Sequence, residues 1–242
     1  MRKNHSIVLA AIATIGLPLA AGAVSIDEFS TTQSALVAAG PPEAQTAVSA
    51  AAAAEAIGGS REIVLDRTAG FGIAFADSGL SGAGLFSLST GAGVTASATI
   101  VYDGTADGSV NPAGFGGVSV IDGGEQFLRV VARSDLNATI RIQFHSGSVS
   151  DFLFADVAVT GSGTGNGPFQ TIDVPLVSLG VQGAGADLAS LGAIVAVLAP
   201  AGPASVDLQI GALQTIVPEP GSLLLLGVGV TGLTLAGRRR SA

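Results

Sequence analysis

The sequence predicts an all-β protein, an antiparallel β-sandwich, and three observations favour this fold class. Apolar and polar residues alternate with a period of two in several short segments, as the two faces of a half-buried strand require. Glycine makes up 35 of the 242 residues, mostly in turn signals between those segments. Helical periodicity is scarce. Short strands joined by Gly-rich turns are typical of a sandwich of antiparallel sheets.

The alternation is clearest in residues 94–100, 139–144 and 205–210, where an apolar residue occupies every second position. Weaker strand-like runs, near 61–67, 71–76, 84–90, 127–132, 152–159, 169–174 and 192–198, complete a predicted set of about ten strands. Turn signals such as Asp103-Gly104 separate the runs. We expect a single domain over residues 24–216, long enough to bury a core of its own.

Residues 41–59 interrupt the alternating pattern. Pro41 and Pro42 precede five consecutive alanines, 50–54, and Gly58-Gly59 follows them. Proline before and glycine after an alanine-rich run are helix boundaries, and alanine has the highest helix propensity. Large aliphatic side chains are few, so a short helix here has little packing to stabilise it. We predict a helix or a loop.

The N-terminus, residues 1–23, has the three parts of a secretory signal peptide. Arg2 and Lys3 precede an apolar run, and Ala21 and Ala23 form a small-residue cleavage site. The run is too short for a comfortable membrane span. We predict a signal helix that signal peptidase removes after Ala23. This implies export by the general secretion machinery.

The C-terminus, residues 217–242, combines three features in a fixed order. They are Pro218-Glu219-Pro220, an uncharged apolar segment and the cluster Arg238-Arg239-Arg240. The prolines keep Glu219 extended. The apolar segment predicts a hydrophobic helix that can just cross a thin bilayer, and the arginines hold its far end in the cytoplasm. The domain before it is then expected outside the inner membrane.

This ordered triple resembles the PEP-CTERM sorting signal of Gram-negative bacteria. The resemblance implies that an exosortase, an integral-membrane protease, recognises Pro218-Glu219-Pro220 and removes the tail of a transiently anchored protein. It further implies release or attachment at the cell surface, usually in species that make exopolysaccharide. A plain membrane anchor and a GPI signal are the alternatives. A GPI signal ends in its apolar tail, so the terminal arginines argue against it.

Composition excludes several chemistries. The chain has no cysteine, which excludes disulfides and thiolate metal sites. Residues 24–217 carry five arginines, no lysine and seventeen acids, a formal charge near −12, so no nucleic acid is expected as a partner. His145 is the only histidine beyond the signal peptide, and we interpret it as a strand-end or turn residue without a catalytic role. We predict that the protein is not an enzyme and needs no cofactor.

The order of the predicted strands also resembles galactose-binding-like jelly rolls. The segments that carry this resemblance are 26–29, 186–197 and 205–210. It implies that the first and last strands pair. Some of these folds bind a structural calcium near that junction, and Asp27, Glu28 and Asp207 are the candidate ligands in this chain. The alternative is that these acids are solvent-facing strand residues.

Aromatic residues are few, with no tryptophan and one tyrosine, Tyr102. Seven of the ten phenylalanines fall within predicted strands and are expected in the core: Phe71, Phe75, Phe86, Phe127, Phe144, Phe152 and Phe154. An aromatic platform for stacking sugar rings is therefore not expected.

Three functions follow from these patterns. The first is an exported, non-enzymatic envelope or matrix protein associated with exopolysaccharide and biofilm. The second is a module that binds neutral polysaccharide through polar side chains of its Gly-rich loops. The third is a secreted hydrolase whose carboxylate site the sequence does not identify.

Overall fold

Two antiparallel β-sheets face each other across a hydrophobic core in the computed structural model of the chain. The structure describes residues 23–37, 45–80, 82, 84–105, 107, 109–163, 167–200 and 206–217. Within these ranges it has fourteen strands and two short 3-10 turns. The all-β sandwich that the sequence predicts is confirmed.

The strands are β1 (Ala23–Asp27), β2 (Gln33–Val37), β3 (Gln45–Ala52), β4 (Ser60–Ala69), β5 (Ala74–Ser78), β6 (Phe86–Thr90), β7 (Thr95–Tyr102), β8 (Phe127–Ser134), β9 (Ala138–His145), β10 (Phe152–Val159), β11 (Gln170–Pro175), β12 (Gly180–Gln182), β13 (Ala193–Pro200) and β14 (Asp207–Ile216). The first sheet has the order β11-β8-β14-β6-β5-β2, and β1 also pairs with β14. The second sheet has the order β12-β10-β9-β13-β7-β4-β3.

The inward faces of the two sheets pack into one hydrophobic core. On β8, Leu128, Val130 and Ala132 are fully buried, and the residues between them face outward. β9 shows the same period, with Ile140 and Ile142 fully buried. Burying a large apolar side chain stabilises a fold by about 1.5–3 kcal/mol. The period-two pattern therefore places the core and, with it, the two outward faces.

The first and last strands pair, as the jelly-roll resemblance implies. Ala23 lies opposite Ile216, and the register continues to Asp27 opposite Leu213. One extra residue on β1 forms a bulge between Ser25 and Asp27. A bulge re-aims the side chains that follow it. Asp27 consequently lies in the core, where it is 1% exposed.

A buried ion pair joins the two sheets. Arg61 on β4 donates from Nη1 to both carboxylate oxygens of Asp27 on β1, at 2.9 and 2.7 Å. The guanidinium also donates to Gln33 Oε1 at 3.1 Å and to the backbone oxygen of Thr31 at 2.7 Å. Tyr102 lies in the same cluster, where burial raises the pKa of its phenol well above the ordinary value. An unpaired buried charge is costly, so each member of the pair depends on the opposite sheet.

The helix or loop predicted for residues 41–59 is wrong over β3. Gln45–Ala52 is an edge strand that pairs with β4 along its whole length. Its ladder of backbone hydrogen bonds, together with the packing of Ala47 against the core, outweighs the helix propensity of alanine. Only the 3-10 turn Ile57–Gly59 follows it before β4 begins.

Two further strands lie outside the predicted runs. β2 has five residues and β12 has three. Strands this short hold few repeats of the alternating pattern, so periodicity identifies them poorly.

The predicted N-terminal signal helix and C-terminal hydrophobic helix lie outside the described residues. Within the described ranges, no helix combines the length and the hydropathy that crossing a membrane requires.

Candidate functional site

The outward face of the first sheet carries a row of polar residues that crosses five strands. Cross-strand pairing places side by side Ser34 on β2, Asp77 on β5, Ser87 on β6, Gln209 on β14 and Arg133 on β8. With about 4.8 Å between neighbouring strands, the row is about 19 Å long. Its members alternate with core residues along their strands. Ser34 is exposed and Arg133 and Gln209 are partly exposed, whereas Asp77 and Ser87 are buried, at 0% and 5% exposure. These five residues are the polar row.

Arg133 lies at one end of the polar row and is held by neutral partners. Its Nε donates to Gln209 Oε1 at 2.8 Å, and its Nη1 donates to the backbone oxygen of Gly167 at 3.2 Å. Its guanidinium carbon lies 4.6 Å from the ring centre of Phe169, within the range of a cation–π contact. Among the described residues, the ion pairs belong to other arginines, and Arg133 has no carboxylate partner.

Arg129, on the same strand and face, is paired. Its Nε and Nη2 donate to the two carboxylate oxygens of Asp173 on β11, each at 2.8 Å. The hydrogen bonds from Arg129 lower the pKa of Asp173. The two side chains are 34% and 36% exposed, so solvent screens the pair and its contribution is at most about 1 kcal/mol.

A cavity of about 280 Å³ lies on this side of the first sheet, where β1 and β14 meet. Its lining includes Ser25, Glu28 and Gln214, and Gly211 lies there at a bulge in β14. Gln214 is the cross-strand partner of Arg129. Hydroxyl, carboxylate and amide groups around one cavity can both donate and accept hydrogen bonds. This chemistry suits a hydroxyl-rich ligand.

The outward face of the second sheet carries an aromatic cluster. Arg141 on β9 donates from Nε and Nη2 to the carboxylate oxygens of Asp156 on β10, at 2.6 and 2.7 Å. Its guanidinium carbon lies 4.8 Å from the ring centre of Phe154. The Phe154 ring meets Phe152 edge-on, with 6.2 Å between ring centres, and His145 lies 4.9 Å from Phe152 on the other side.

Most of the phenylalanines predicted for the core lie elsewhere. Phe86 and Phe144 are fully buried, but Phe71 is 73% exposed. The half-buried ones are Phe75, Phe127, Phe152 and Phe154. The alternation along β10 could have shown this. Phe152 and Phe154 occupy the same face as exposed Asp156, and buried Val157 occupies the opposite face. The outward face of the second sheet therefore carries two phenylalanines that were predicted for the core. The absence of an aromatic platform for sugar rings stays a prediction.

His145 is the last residue of β9, as predicted for a strand-end residue. Its Nε2 lies 3.3 Å from Gln143 Oε1, and its Nδ1 lies 3.4 Å from the backbone oxygen of Ser148. Burial lowers the pKa of the imidazole, so the ring is neutral at pH 7. These contacts favour a structural role, and the absence of a catalytic one stays a prediction.

The three acids predicted as calcium ligands do not come together. Asp27 is paired with Arg61 inside the core, whereas Glu28 is exposed. Asp207 lies on β14 well before Leu213, the cross-strand partner of Asp27. Along β14, the distance from Asp207 to Leu213 is about 20 Å. Within the described residues, no group of three or more histidines, aspartates or glutamates could hold a metal ion. The structure therefore does not bring these three acids together as one ligand set, and a bound calcium stays a prediction.

The predicted sorting residues lie outside the described residues: Pro218, Glu219, Pro220, Arg238, Arg239 and Arg240. Ala21 of the predicted cleavage site also lies outside them, and Ala23 is the first residue of β1. Cleavage after Ala23 stays a prediction.

Comparison with known families confirms the C-terminal resemblance. Residues 217–240 match the PEP-CTERM protein-sorting motif. The motif implies export, with transient membrane anchoring before an exosortase processes the protein. The chain is thus an all-β protein that carries a PEP-CTERM sorting motif. The comparison with curated proteins finds no match.

Solved structures similar to this chain are family 11 carbohydrate-binding modules. One, from Clostridium thermocellum in complex with a β-1,3-1,4-mixed-linked tetrasaccharide, is 14% identical and has a TM-score of 0.40, over 82% of this chain and 97% of that chain. The module of the cellulosomal cellulase Lic26A-Cel5E of the same organism is 13% identical with a TM-score of 0.40, over 83% and 97%. The module CtCBM11 in solution is 13% identical with a TM-score of 0.41, over 84% and 99%.

Proposed function

We propose that the protein is an exported, non-enzymatic component of the cell envelope or of the exopolysaccharide matrix. Its C-terminal helix anchors it in the inner membrane until an exosortase processes it near Pro218-Glu219-Pro220. The β-sandwich then acts at the cell surface or outside the cell as a structural or adhesive module of a biofilm. The match of residues 217–240 to the sorting motif carries this proposal.

The junction between the domain and the motif supports this order of events. β14 ends at Ile216, and the motif match begins at the next residue. In the first sheet, Ile216 lies opposite both Ala23 and Phe127. The sorting motif therefore begins just beyond a paired strand end, where its removal leaves β14 intact. Cleavage after Ala23 removes one residue from the end of β1 and leaves the pairs from Val24 onward.

The mass of the protein released into the medium tests processing. We expect a released species that begins at Val24 and lacks Arg238-Arg239-Arg240. A released species that retains the three arginines contradicts exosortase processing.

A matched pair of variants tests recognition of the motif. Glu219→Gln should leave unprocessed protein in the membrane fraction. Glu28→Gln makes the same change at an exposed residue of the domain and should be processed normally. Equal release of the two variants argues against recognition of Glu219.

A second candidate function is binding of neutral polysaccharide, and the polar row favours it. Arg133 and Gln209 at one end of the row and Ser34 at the other offer accessible donors and acceptors on this face, while Asp77 and Ser87 between them are buried. The polar side chains that bind the polysaccharide are then on strands as well as on the Gly-rich loops where we first expected them. Strand positions are the more rigid support for a binding site.

A glycan array with the full chain in detergent tests this candidate. We expect binding of neutral polysaccharide that is equal with and without calcium. Binding that requires calcium, or no binding to any glycan, contradicts it and leaves the structural role.

A further inference from the structure

We propose that Arg133 binds the carboxylate of an acidic sugar, a uronic acid residue, at the end of the polar row. The inference rests on the polysaccharide-binding candidate and names the charged group that this face recognises. If Arg133 has this role, the polysaccharide that the protein binds carries carboxylate groups and is not wholly neutral.

The arginines of the domain differ in whether they are buried or paired with a carboxylate. Residues 24–217 contain five arginines. Arg61 and Arg67 are fully buried. Arg129 and Arg141 each donate twice to one carboxylate. Arg133 is therefore the solvent-accessible arginine that the described residues leave without a carboxylate.

The guanidinium of Arg133 has N–H groups that are not used within the protein. Arginine has five N–H donors in a rigid fork. Arg133 uses one at Nε for Gln209 and one at Nη1 for Gly167. Both N–H groups of Nη2 and the second one of Nη1 have no acceptor among the described residues. The Nη2 atom and the remaining N–H group of Nη1 can therefore donate to the oxygens of a carboxylate.

The supports of Arg133 hold this fork in place before any ligand binds. The Phe169 ring covers one face of the guanidinium, and Gln209 fixes its Nε edge. A fork that is already ordered loses less side-chain entropy on binding. On the same row, the partly exposed Gln209 lies beside Arg133 and its amide can bond a sugar hydroxyl next to the carboxylate, whereas Ser87 on the following strand is buried.

The acids at the ends of β8 and β14 are engaged elsewhere, and Asp77 in the polar row is fully buried. Asp135 Oδ1 accepts hydrogen bonds from the backbone N–H groups of Leu136 and Asp207, both at 2.8 Å. The Asp207 carboxylate accepts a hydrogen bond from Ser89. These two acids and the charge of the whole domain oppose a dense polyanion. At physiological salt the screening length is about 8 Å, so a direct contact at Arg133 still operates.

A matched pair of polymers tests the proposal. The full chain in detergent is titrated calorimetrically with polygalacturonate and with its fully methyl-esterified form, which differ in the carboxylate charge. We expect the acid form to bind about tenfold more tightly or better, as for a charged hydrogen bond. Arg133→Gln should abolish this preference, so that the acid form and the ester bind with affinities within about twofold of each other.

Arg141→Gln is the control variant. It makes the same substitution, changes the net charge equally and also removes a guanidinium from a phenylalanine ring, on the opposite face. We expect it to keep the preference for the acid form. An equal loss in both variants, or no loss in Arg133→Gln, overturns the proposal. Cooperative thermal unfolding of both variants, compared with that of the wild type, shows that each of them folds.

Two further outcomes separate this inference from the proposed functions. If the ester binds as tightly as the acid form, the neutral-polysaccharide candidate stands and the role of Arg133 is wrong. If inorganic phosphate competes as well as galacturonate does, Arg133 is a general anion site and the assignment to a sugar acid is wrong. If neither polymer binds, both binding proposals fail, while the mass of the released protein still decides the sorting proposal.

Discussion

Two arginines on opposite faces of the sandwich lie over phenylalanine rings, yet their surroundings differ by one functional group. Arg133 lies 4.6 Å from the ring of Phe169, and Arg141 lies 4.8 Å from the ring of Phe154. Arg133 donates its Nε to an amide oxygen, and Arg141 donates its Nε to a carboxylate oxygen. The group across the strand thus decides whether the positive charge is already neutralised or stays available to a ligand.

The cross-strand position is the same in both cases. Gln209 lies directly opposite Arg133, and Asp156 lies directly opposite Arg141. Side chains in these positions are close enough to interact directly. An amide and a carboxylate have nearly the same shape, so isosteric substitutions can exchange the properties of the two faces.

The largest effect is expected from Arg61→Met, because both faces depend on the buried pair between the sheets. The substitution leaves Asp27 as an unpaired buried charge and removes the donors to Thr31 and Gln33. We expect the free energy of unfolding to fall by about 3–5 kcal/mol, measured by urea denaturation.

Arg129→Met is the control for that prediction. It removes a partly exposed arginine with the same bidentate geometry, and we expect a loss of at most about 1 kcal/mol. Equal losses in the two variants would show that burial does not distinguish the pairs.

The next effect is expected from Gln209→Glu, which gives Arg133 a carboxylate and makes the first face resemble the second. The new ion pair occupies the guanidinium and adds negative charge beside it. We expect the preference for polygalacturonate over its methyl ester to fall about tenfold, measured by calorimetry. Stability should change by less than about 1 kcal/mol. Retention of the preference would mean that the free charge of Arg133 is not what the acid form recognises.

A smaller effect is expected from Asp156→Asn, which frees Arg141 and makes the second face resemble the first. We expect a loss of stability below about 1 kcal/mol, because the two side chains are 45% and 43% exposed. We also expect a gain of about twofold to fivefold in affinity for polygalacturonate, less than the contribution of Arg133, since no polar row continues from Arg141. An unchanged affinity would show that a free arginine over a phenylalanine is not sufficient.

The smallest effect is the acid dependence of the exposed pairs. Hydrogen bonds from Arg141 and Arg129 lower the pKa values of Asp156 and Asp173 below 3.8. A lowered carboxyl pKa adds stability that is fully present above the unfolded-state pKa, and the stability is lost as the pH falls through the folded-state pKa. The wild type should therefore lose a few tenths of a kcal/mol more than the Asp156→Asn, Asp173→Asn variant between pH 5 and pH 3.

Thermal unfolding at several pH values measures that difference. Burial also lowers the pKa of His145, which adds its own loss of stability below pH 6.5. Because both proteins contain His145, its contribution cancels in the comparison. Parallel curves down to pH 3 would contradict a stabilising role for the pairs.

Local patterns predicted those features that depend on neighbouring residues. The alternation of residues 139–144 predicted β9, and its buried residues are the ones that the pattern places inward. Arg141 and Asp156 lie fifteen residues apart on adjacent strands β9 and β10, but the register that sets them opposite each other was not predicted. The alternation along β10 also places Phe152 and Phe154 on the outward face, although we first assigned both to the core.

Features that depend on distant pairing were not predictable in this way. Arg133 and Gln209 are 76 residues apart and meet because β14 pairs with β8. Asp27 lies in the core because a bulge in β1 re-aims it, which separates it from Asp207. β3 is a strand because β4 supplies its hydrogen bonds, and no property of its alanines indicates that.

The sequence by itself determined the sorting motif at residues 217–240, the all-β class and the inward and outward faces of the clearest strands. These depend on motif order and on a period of two, which are local properties of the chain. The tertiary structure decided which charges meet. It buried Arg61 with Asp27, paired Arg141 with Asp156 and left Arg133 beside an amide. Charge pairing depends on strand register across the whole sandwich, and distant parts of the chain determine that register together.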